Sequence, residues 1–246
     1  VLIKLDSSRI DYANTKDLGE DIRFVDADGT TVLSHEIEKW DEAGTSWVWV
    51  KVPQIDGSSN TDYIWMYYGN PSATDQQNAA GVWSNGYAGV WHLNETATDE
   101  QTSATHTDST ANSNNGTQHE NASVGGQIAG AQDFDLDDYI NVPDHASIDF
   151  GASQDFTVSA WVKSTQAGAA NKWPMIVQKG SDGSSPRYEY SLILNNAISN
   201  PEWFFDTYSN GSKVAVFGNL SVTDGTWHYI VGTRSGANHS TNEDGA

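Results

Sequence analysis

Trp47-Val48-Trp49-Val50-Lys51-Val52 is the stretch that decides the fold class. Successive side chains of a β-strand point to opposite faces. A period of two therefore puts Trp47, Trp49 and Lys51 on one face and the three valines on the other, with the valines as the core-facing set. Alternating aromatic and β-branched residues suit a pleated, half-buried surface. The pattern recurs on either side, at residues 1–5, 22–25, 31–33 and 63–68, with Asp-Ala-Asp-Gly, Glu-Ala-Gly and Asp-Gly-Ser-Ser as the turns between runs. Residues 1–80 are expected to form a small antiparallel β domain. The polar stretch from Gly69 to Gly86 has linker composition, with one local helical possibility over 75–80, and the boundary is placed there.

Strand character resumes at 87–93 and is followed by a Thr/Ser/Asn/Asp tract from Thr96 to Ser123. A polar excursion of that length reads as a functional or metal-tethered loop, or as disorder. Short strands then recur at 131–134, 139–142, 156–163, 175–179, 188–194, 203–208, 213–217 and 227–233, the rhythm of a sandwich or jelly roll. The fold class is all-β, with residues 81–246 as the larger domain.

The 246 residues carry 33 acidic against 12 basic side chains, a formal charge of −21. Such a field disfavours nucleic acid and anionic membranes as partners. The acidity fits either carboxylates that bind Ca²⁺ or a surface adapted to salty water. With no Cys there is no disulfide framework, thiolate nucleophile or cysteine zinc site. No apolar run approaches the roughly 18 residues that cross a bilayer. The chain opens inside a strand-like run, as a fragment of a longer polypeptide would.

A family resemblance runs through Gly89-Val90-Trp91-His92-Leu93-Asn94-Glu95, the string from Asp108 to Thr117, Gly130-Ala131-Gln132-Asp133-Phe134, Asp137-Asp138-Tyr139-Ile140-Asn141-Val142-Pro143, Phe156-Thr157-Val158-Ser159-Ala160-Trp161-Val162 and Gly225-Thr226-Trp227-His228-Tyr229. These phrases resemble the laminin-G-like branch of the concanavalin-A-like lectin/glucanase superfamily over residues 86–234. The first part, with Asp21-Ile22-Arg23-Phe24, Glu36-Ile37-Glu38-Lys39-Trp40 and Tyr67-Tyr68-Gly69-Asn70-Pro71, is similar to domain of unknown function 2341. The resemblance implies a jelly-roll sandwich, and a companion arrangement seen in secreted bacterial and archaeal proteins. It also implies closing strands after the Trp-His strand, whereas here Arg234 is followed by a polar tail. Those strands are expected from a longer chain or from a neighbouring subunit.

Glu36 and Glu38 share a strand face and invite a glycosidase reading, since retaining hydrolysis needs two nearby carboxyls. The related glucanases carry acids at three alternate positions, and the third here is Trp40, so the pair reads as a solvated strand face with an aromatic cover. No catalytic residue is assigned. Metal candidates are Asp108, Asn114, Asp137 and Asp138, hard oxygen donors suited to the structural Ca²⁺ that the resemblance implies. The alternative for this region is an Asx-rich turn cluster capping its own backbone. Glycan platforms are sought at Trp173, Tyr188, Tyr190, Trp203 and Tyr208, with Asn195, Asn196 and Asn200 beside them. Trp161 and Trp227 are assigned to packing, and His106, His119 and His239 to the surface. Glycosylation triplets begin at Asn94, Asn115, Asn121, Asn210, Asn219 and Asn238. The function expected is a non-catalytic extracellular or cell-surface module that binds polysaccharide or surface glycan. The alternatives are a structural subunit of an extracellular filament, in contact with copies of itself, and part of a secreted glycoside hydrolase or polysaccharide lyase.

Overall fold

The computed structural model describes residues 1–135, 137–151, 154–165, 174–180, 189–194, 203–209 and 212–245. Its strands pair antiparallel, and the chain divides into two compact units, Val1–His145 and Ala146–Ala246.

The first unit contains β1 (Leu2–Leu5), β2 (Arg23–Val25), β3 (Val32–Leu33), β4 (His35–Lys39), β5 (Ser46–Val50), β6 (Trp65–Tyr67), a single turn of helix α1 (Ala79–Val82), β7 (Thr105–His106), β8 (Gly116–His119), β9 (Ala122–Gly125), β10 (Gly130–Asp133) and β11 (Tyr139–Asn141). They form sheets in the orders β1-β5-β4, β3-β2-β6 and β11-β8-β7, with a β9-β10 ribbon. Val48 and Val50 are fully buried with Leu5, Ile22, Phe24 and Leu33, so the valine face is the core face, as the alternation requires. The helix lies later than expected because Asn78 caps it, its Oδ1 accepting from Gly81 N at 2.8 Å.

Three expectations for this unit are corrected. Residues 87–93 form no strand; their contact with the ladder is an isolated bridge between Trp91 and Asp108. The tract from Thr96 to Ser123 is no extended loop, for β7, β8 and the start of β9 lie in it. It folds around buried polar side chains: Gln118 Nε2 donates to Thr98 O at 2.8 Å, Asn121 Nδ2 to Gln132 Oε1 at 2.9 Å, and Gln132 Nε2 to Glu95 O at 2.9 Å. The buried amides are bonded to one another and to backbone carbonyls, and a hydropathy pattern does not register them. The packing boundary therefore falls at His145/Ala146 and not near residue 80, since residues 90–142 are tied to the first unit.

The second unit contains β12 (Phe156–Val162), β13 (Met175–Lys179), β14 (Tyr190–Leu194), β15 (Trp203–Ser209), β16 (Ser212–Phe217), β17 (His228–Ser235) and β18 (Asn238–Glu243). Sheets β12-β17-β18 and β13-β14-β15-β16 share a core. Phe156 and Ile230 come to it from the first sheet, and Tyr190, Leu192, Leu194, Trp203 and Phe205 from the second, with Val158 and Val162 packed against them. This is face-to-face sheet packing.

The polar tail after Arg234 is itself a strand. The chain turns at Gly236 (φ 59°) and β18 pairs with β17 from Asn238 opposite Ser235 to Glu243 opposite Ile230. Thr241 Oγ1 donates to Phe217 O at 3.0 Å, and the buried Glu243 carboxylate accepts from Leu220 N at 3.2 Å. Backbone pairing and these caps hold a strand that lacks apolar alternation.

Gly232 in β17 lies against the ring of Phe205: a Cβ there would sit 2.3 Å from the ring's Cγ. Gly232→Ala should cost about 1–3 kcal/mol by overpacking, read as a lower urea midpoint with an unchanged slope.

Candidate functional site

Glu36 and Glu38 sit two residues apart on β4, where the β4–β5 register shifts between Ile37 and Lys39. Their carboxylates enclose one imidazole. His92 Nε2 lies 3.1 Å from Glu36 Oε2, and His92 Nδ1 lies 2.6 Å from Glu38 Oε2. Every remaining oxygen is engaged. Glu36 accepts from Trp83 Nε1 and Ser109 Oγ, both at 2.6 Å. Glu38 accepts from Trp49 Nε1 at 2.9 Å and Asn94 Nδ2 at 3.0 Å. The rings of Trp49 and Trp83 stand 6.1 and 5.7 Å from that of His92, and 5.0 Å from each other.

Burial by itself pulls the His92 pKa down, but the hydrogen bonds and charges of Glu36 and Glu38 outweigh it and raise the pKa to about 9. Glu36 is half-buried, which works against its charge, yet the His92, Ser109 and Trp83 bonds hold its pKa below the ordinary carboxylate value. Both ring nitrogens of His92 are taken by the two carboxylates, and every carboxylate oxygen has a hydrogen-bond donor. The solvated strand face expected here is overturned: Glu38 is buried, and the pair is a charged clamp joining β4 to residues 83–109. Trp40 lies apart from it, edge-on to Tyr12 at 5.4 Å.

His228 in the second unit repeats the arrangement. Its Nδ1 is 2.9 Å from Asp244 Oδ2 and its Nε2 is 3.1 Å from Asp224 Oδ1, and the bond to Asp244, opposed by burial and assisted by Asp224, raises its pKa. Thr226 Oγ1 stands 3.0 Å from Nε2. Both ring nitrogens of His228 face a carboxylate.

The four metal candidates do not form one group. Asp108 is buried, and its carboxylate accepts from Val90 N, Thr110 N, Thr110 Oγ1 and Asn114 N at 2.9–3.0 Å. That is a turn cap, with Asn114 as one of its donors. Asp137 and Asp138 instead join Glu120, a residue not foreseen, and their ligand atoms lie within 4.8 Å of one another. This is the one such group among the described residues. A Ca²⁺ ion there would need further oxygens to reach its usual six to eight.

The glycan candidates are also redistributed. Trp173, Tyr188, Asn195, Asn196 and Asn200 lie outside the described residues. Trp203 is fully buried in the sandwich core. Tyr190 is buried with its hydroxyl donating to Ile148 O at 3.2 Å, and burial raises its pKa to about 12. Tyr208 is half-buried. Core packing claims Trp203 and Tyr190, which belong to the buried cluster between the two sheets.

Trp161 shows the reverse. Phe156, Val158, Ala160 and Val162 take the inner face of β12, which turns Thr157, Ser159 and Trp161 outward, and Trp161 is 41% exposed. Tyr229 is its cross-strand partner on β17, with ring centroids 5.2 Å apart at 42°. The Tyr229 hydroxyl donates to Ser159 Oγ at 2.9 Å, and the Thr157 and Thr233 hydroxyls meet at 3.1 Å. Asp244 binds the Tyr229 backbone N–H at 2.8 Å. Strand alternation could have exposed this face at the sequence level; the assignment of Trp161 to packing hid it. Trp227 is half-buried.

Histidine is likewise corrected. His106 is fully buried against Glu95, 3.0 Å from Nδ1, and His119 stacks on Tyr139 at 4.1 Å. Among the glycosylation triplets, Asn121 is fully buried and closed to modification, while Asn94, Asn115, Asn219 and Asn238 are exposed and Asn210 lies outside the described residues.

The chain is all-β and ends in a two-sheet sandwich with Trp161 exposed on an outer face. Residues 18–105 match the family model for a domain of unknown function (DUF2341), and residues 134–245 match that of the concanavalin A-like lectin/glucanases superfamily. The two matches stand in the order read from the sequence. The second match points to a carbohydrate-binding type of module. It begins in β10–β11 territory, so β11 belongs to the sandwich family by sequence and to the first unit by packing. No curated protein and no solved structure matches the chain.

Proposed function

We propose that the chain is a non-catalytic carbohydrate-binding module of an extracellular or cell-surface protein, with the outer face of β12 and β17 as its glycan platform. The carrying observation is the exposed Trp161 with the half-buried Tyr229 set beside it, and with Ser159 and Asp244 next to the pair. The apolar C–H face of a pyranose stacks on such rings, while flanking hydroxyls and a carboxylate take its hydroxyl groups. A large aromatic side chain left in water beside another is uncommon unless something covers it. Support for the non-catalytic part comes from Glu36 and Glu38. A hydrolase needs a carboxylic acid that stays protonated, and the shift at Glu36 runs the opposite way.

Glycan-array and affinity-gel measurements should find a retained polysaccharide, and Trp161→Ala should weaken its binding about tenfold or more while circular dichroism is unchanged. Equal retention of the variant would remove the platform from the reading. Release of reducing sugar by the chain would remove the non-catalytic part.

A further inference from the structure

The first unit carries its own aromatic surface, remote from the clamp and assigned no role by the family it matches. Ile64 and Met66 pack on the core, while Tyr63, just ahead of β6, and Trp65 and Tyr67 within it are the exposed alternate residues. Trp65 is 48% and Tyr67 53% exposed. At a strand rise of about 3.3 Å, alternate rings follow every ~7 Å. Tyr63 stands edge-on to Trp65 at 5.3 Å, which fixes both rings.

The two ends of the row differ. At the Tyr67 end lies a cleft lined by Asp21, Arg23, Tyr67, Tyr68, Asn70 and Ser72. Its wall is held by Asp21, which accepts from Lys16 N at 2.9 Å and Gly69 N at 2.7 Å, and by Arg23, which donates to Thr74 O at 2.6 Å. At the other end, Val25 pairs with Trp65, so the turn leaving β2 exits beside Tyr63 and brings Asp26 and Asp28. Asp62 precedes Tyr63 and accepts from the backbone N–H of Asp56 at 2.6 Å. Among the described residues no Lys, Arg or His forms an ion pair with Asp26, Asp28, Asp56 or Asp62.

Rings in a line call for a linear ligand with repeated apolar faces, and the polar cleft supplies hydrogen bonds at one end. The four uncompensated carboxylates, on a chain of charge −21, repel uronic or sulfated polymers and attract cations. We propose that this row and cleft form a second glycan-binding surface, specific for a polysaccharide whose pyranose rings carry free amines. The rings stack on Tyr63, Trp65 and Tyr67, and the ammonium groups lie against the Asp26–Asp28 and Asp56–Asp62 rim.

The test is calorimetric titration of the full chain at about 0.15 M salt with a short glucosamine oligomer, its fully N-acetylated counterpart and a glucose oligomer of equal length. The glucosamine oligomer should bind best. The Trp65→Ala/Tyr67→Ala chain keeps its net charge and should lose about tenfold or more in affinity. An Asp26→Asn/Asp62→Asn chain, which keeps the aromatic row, should lose its preference for the amine. Trp161→Ala should change neither, which separates this surface from the sandwich platform. Undiminished binding by the aromatic variant would reduce the interaction to bulk charge attraction and overturn the proposal. Equal binding of the acetylated oligomer, or no binding of any, would overturn it as well.

Discussion

A His92→Leu chain should lose about 3–5 kcal/mol of stability in the first unit, because it leaves the half-buried Glu36 and buried Glu38 carboxylates facing each other without their cation. Glu36 and Glu38 together retain Trp83, Ser109, Trp49 and Asn94 as donors, but none of these is charged. Hydrogen exchange of the β4 and β5 amides reads the loss separately from the second unit. Adding Glu36→Gln and Glu38→Gln to His92→Leu should recover part of it, since the destabilising charges are then gone. A near-neutral single variant would mean that the clamp carries no net stability.

The same triad sets a pH dependence. The folded pKa of His92 is raised from 6.5 to about 9, so its contribution is fully present below about pH 6.5 and is lost as pH rises through about 9. By linkage this amounts to about 3 kcal/mol. The folded pKa of Glu36 is lowered, so its contribution is present above the ordinary carboxylate range and lost as pH falls below it. The first unit should therefore be most stable in mildly acidic solution and weaken on the alkaline side, with the alkaline slope abolished in the triple variant.

Trp203→Ala should cost the second unit about 3–5 kcal/mol, a large part of an ordinary domain's stability. The indole is fully buried between Leu192, Phe205 and Ile230, and Gly218 lies so close that a Cβ there would fall 2.1 Å from Trp203 Nε1. Trp161→Ala, by contrast, removes a half-exposed ring and should stay near neutral in stability. Thermal melts of the two variants should thus diverge by several degrees or more, in the order opposite to one in which Trp203 is a surface platform.

Residues 47–52 show what the sequence made legible: alternation of Val with Trp and Lys fixed both the strand and its core face, and Val48 and Val50 are buried as that pattern requires. Two of the family phrases carried the sandwich, because one is β12 and the other runs into β17, whereas the other four lie in the first unit. Two things stayed hidden for physical reasons. β18 is polar on both faces, and its pairing with β17 depends on backbone bonds and on the distant turn that Glu243 caps. The clamp joins Glu36 and Glu38 to His92 over more than 50 positions, and no local period encodes a contact between β4 and a segment that forms no strand. Buried Gln118, Asn121 and His106 misled for a related reason: composition marked them as loop, whereas their partners are each other and the backbone.

The central claim is that the sandwich offers Trp161 and Tyr229 to a sugar ring. A crystal structure of the chain with a bound oligosaccharide tests it most directly: a pyranose stacked across the two rings, with hydroxyls on Ser159, Thr233 or Asp244, is the result expected. A sugar seated elsewhere on the second unit with these rings bare, or a Trp161 turned into the core, would contradict it.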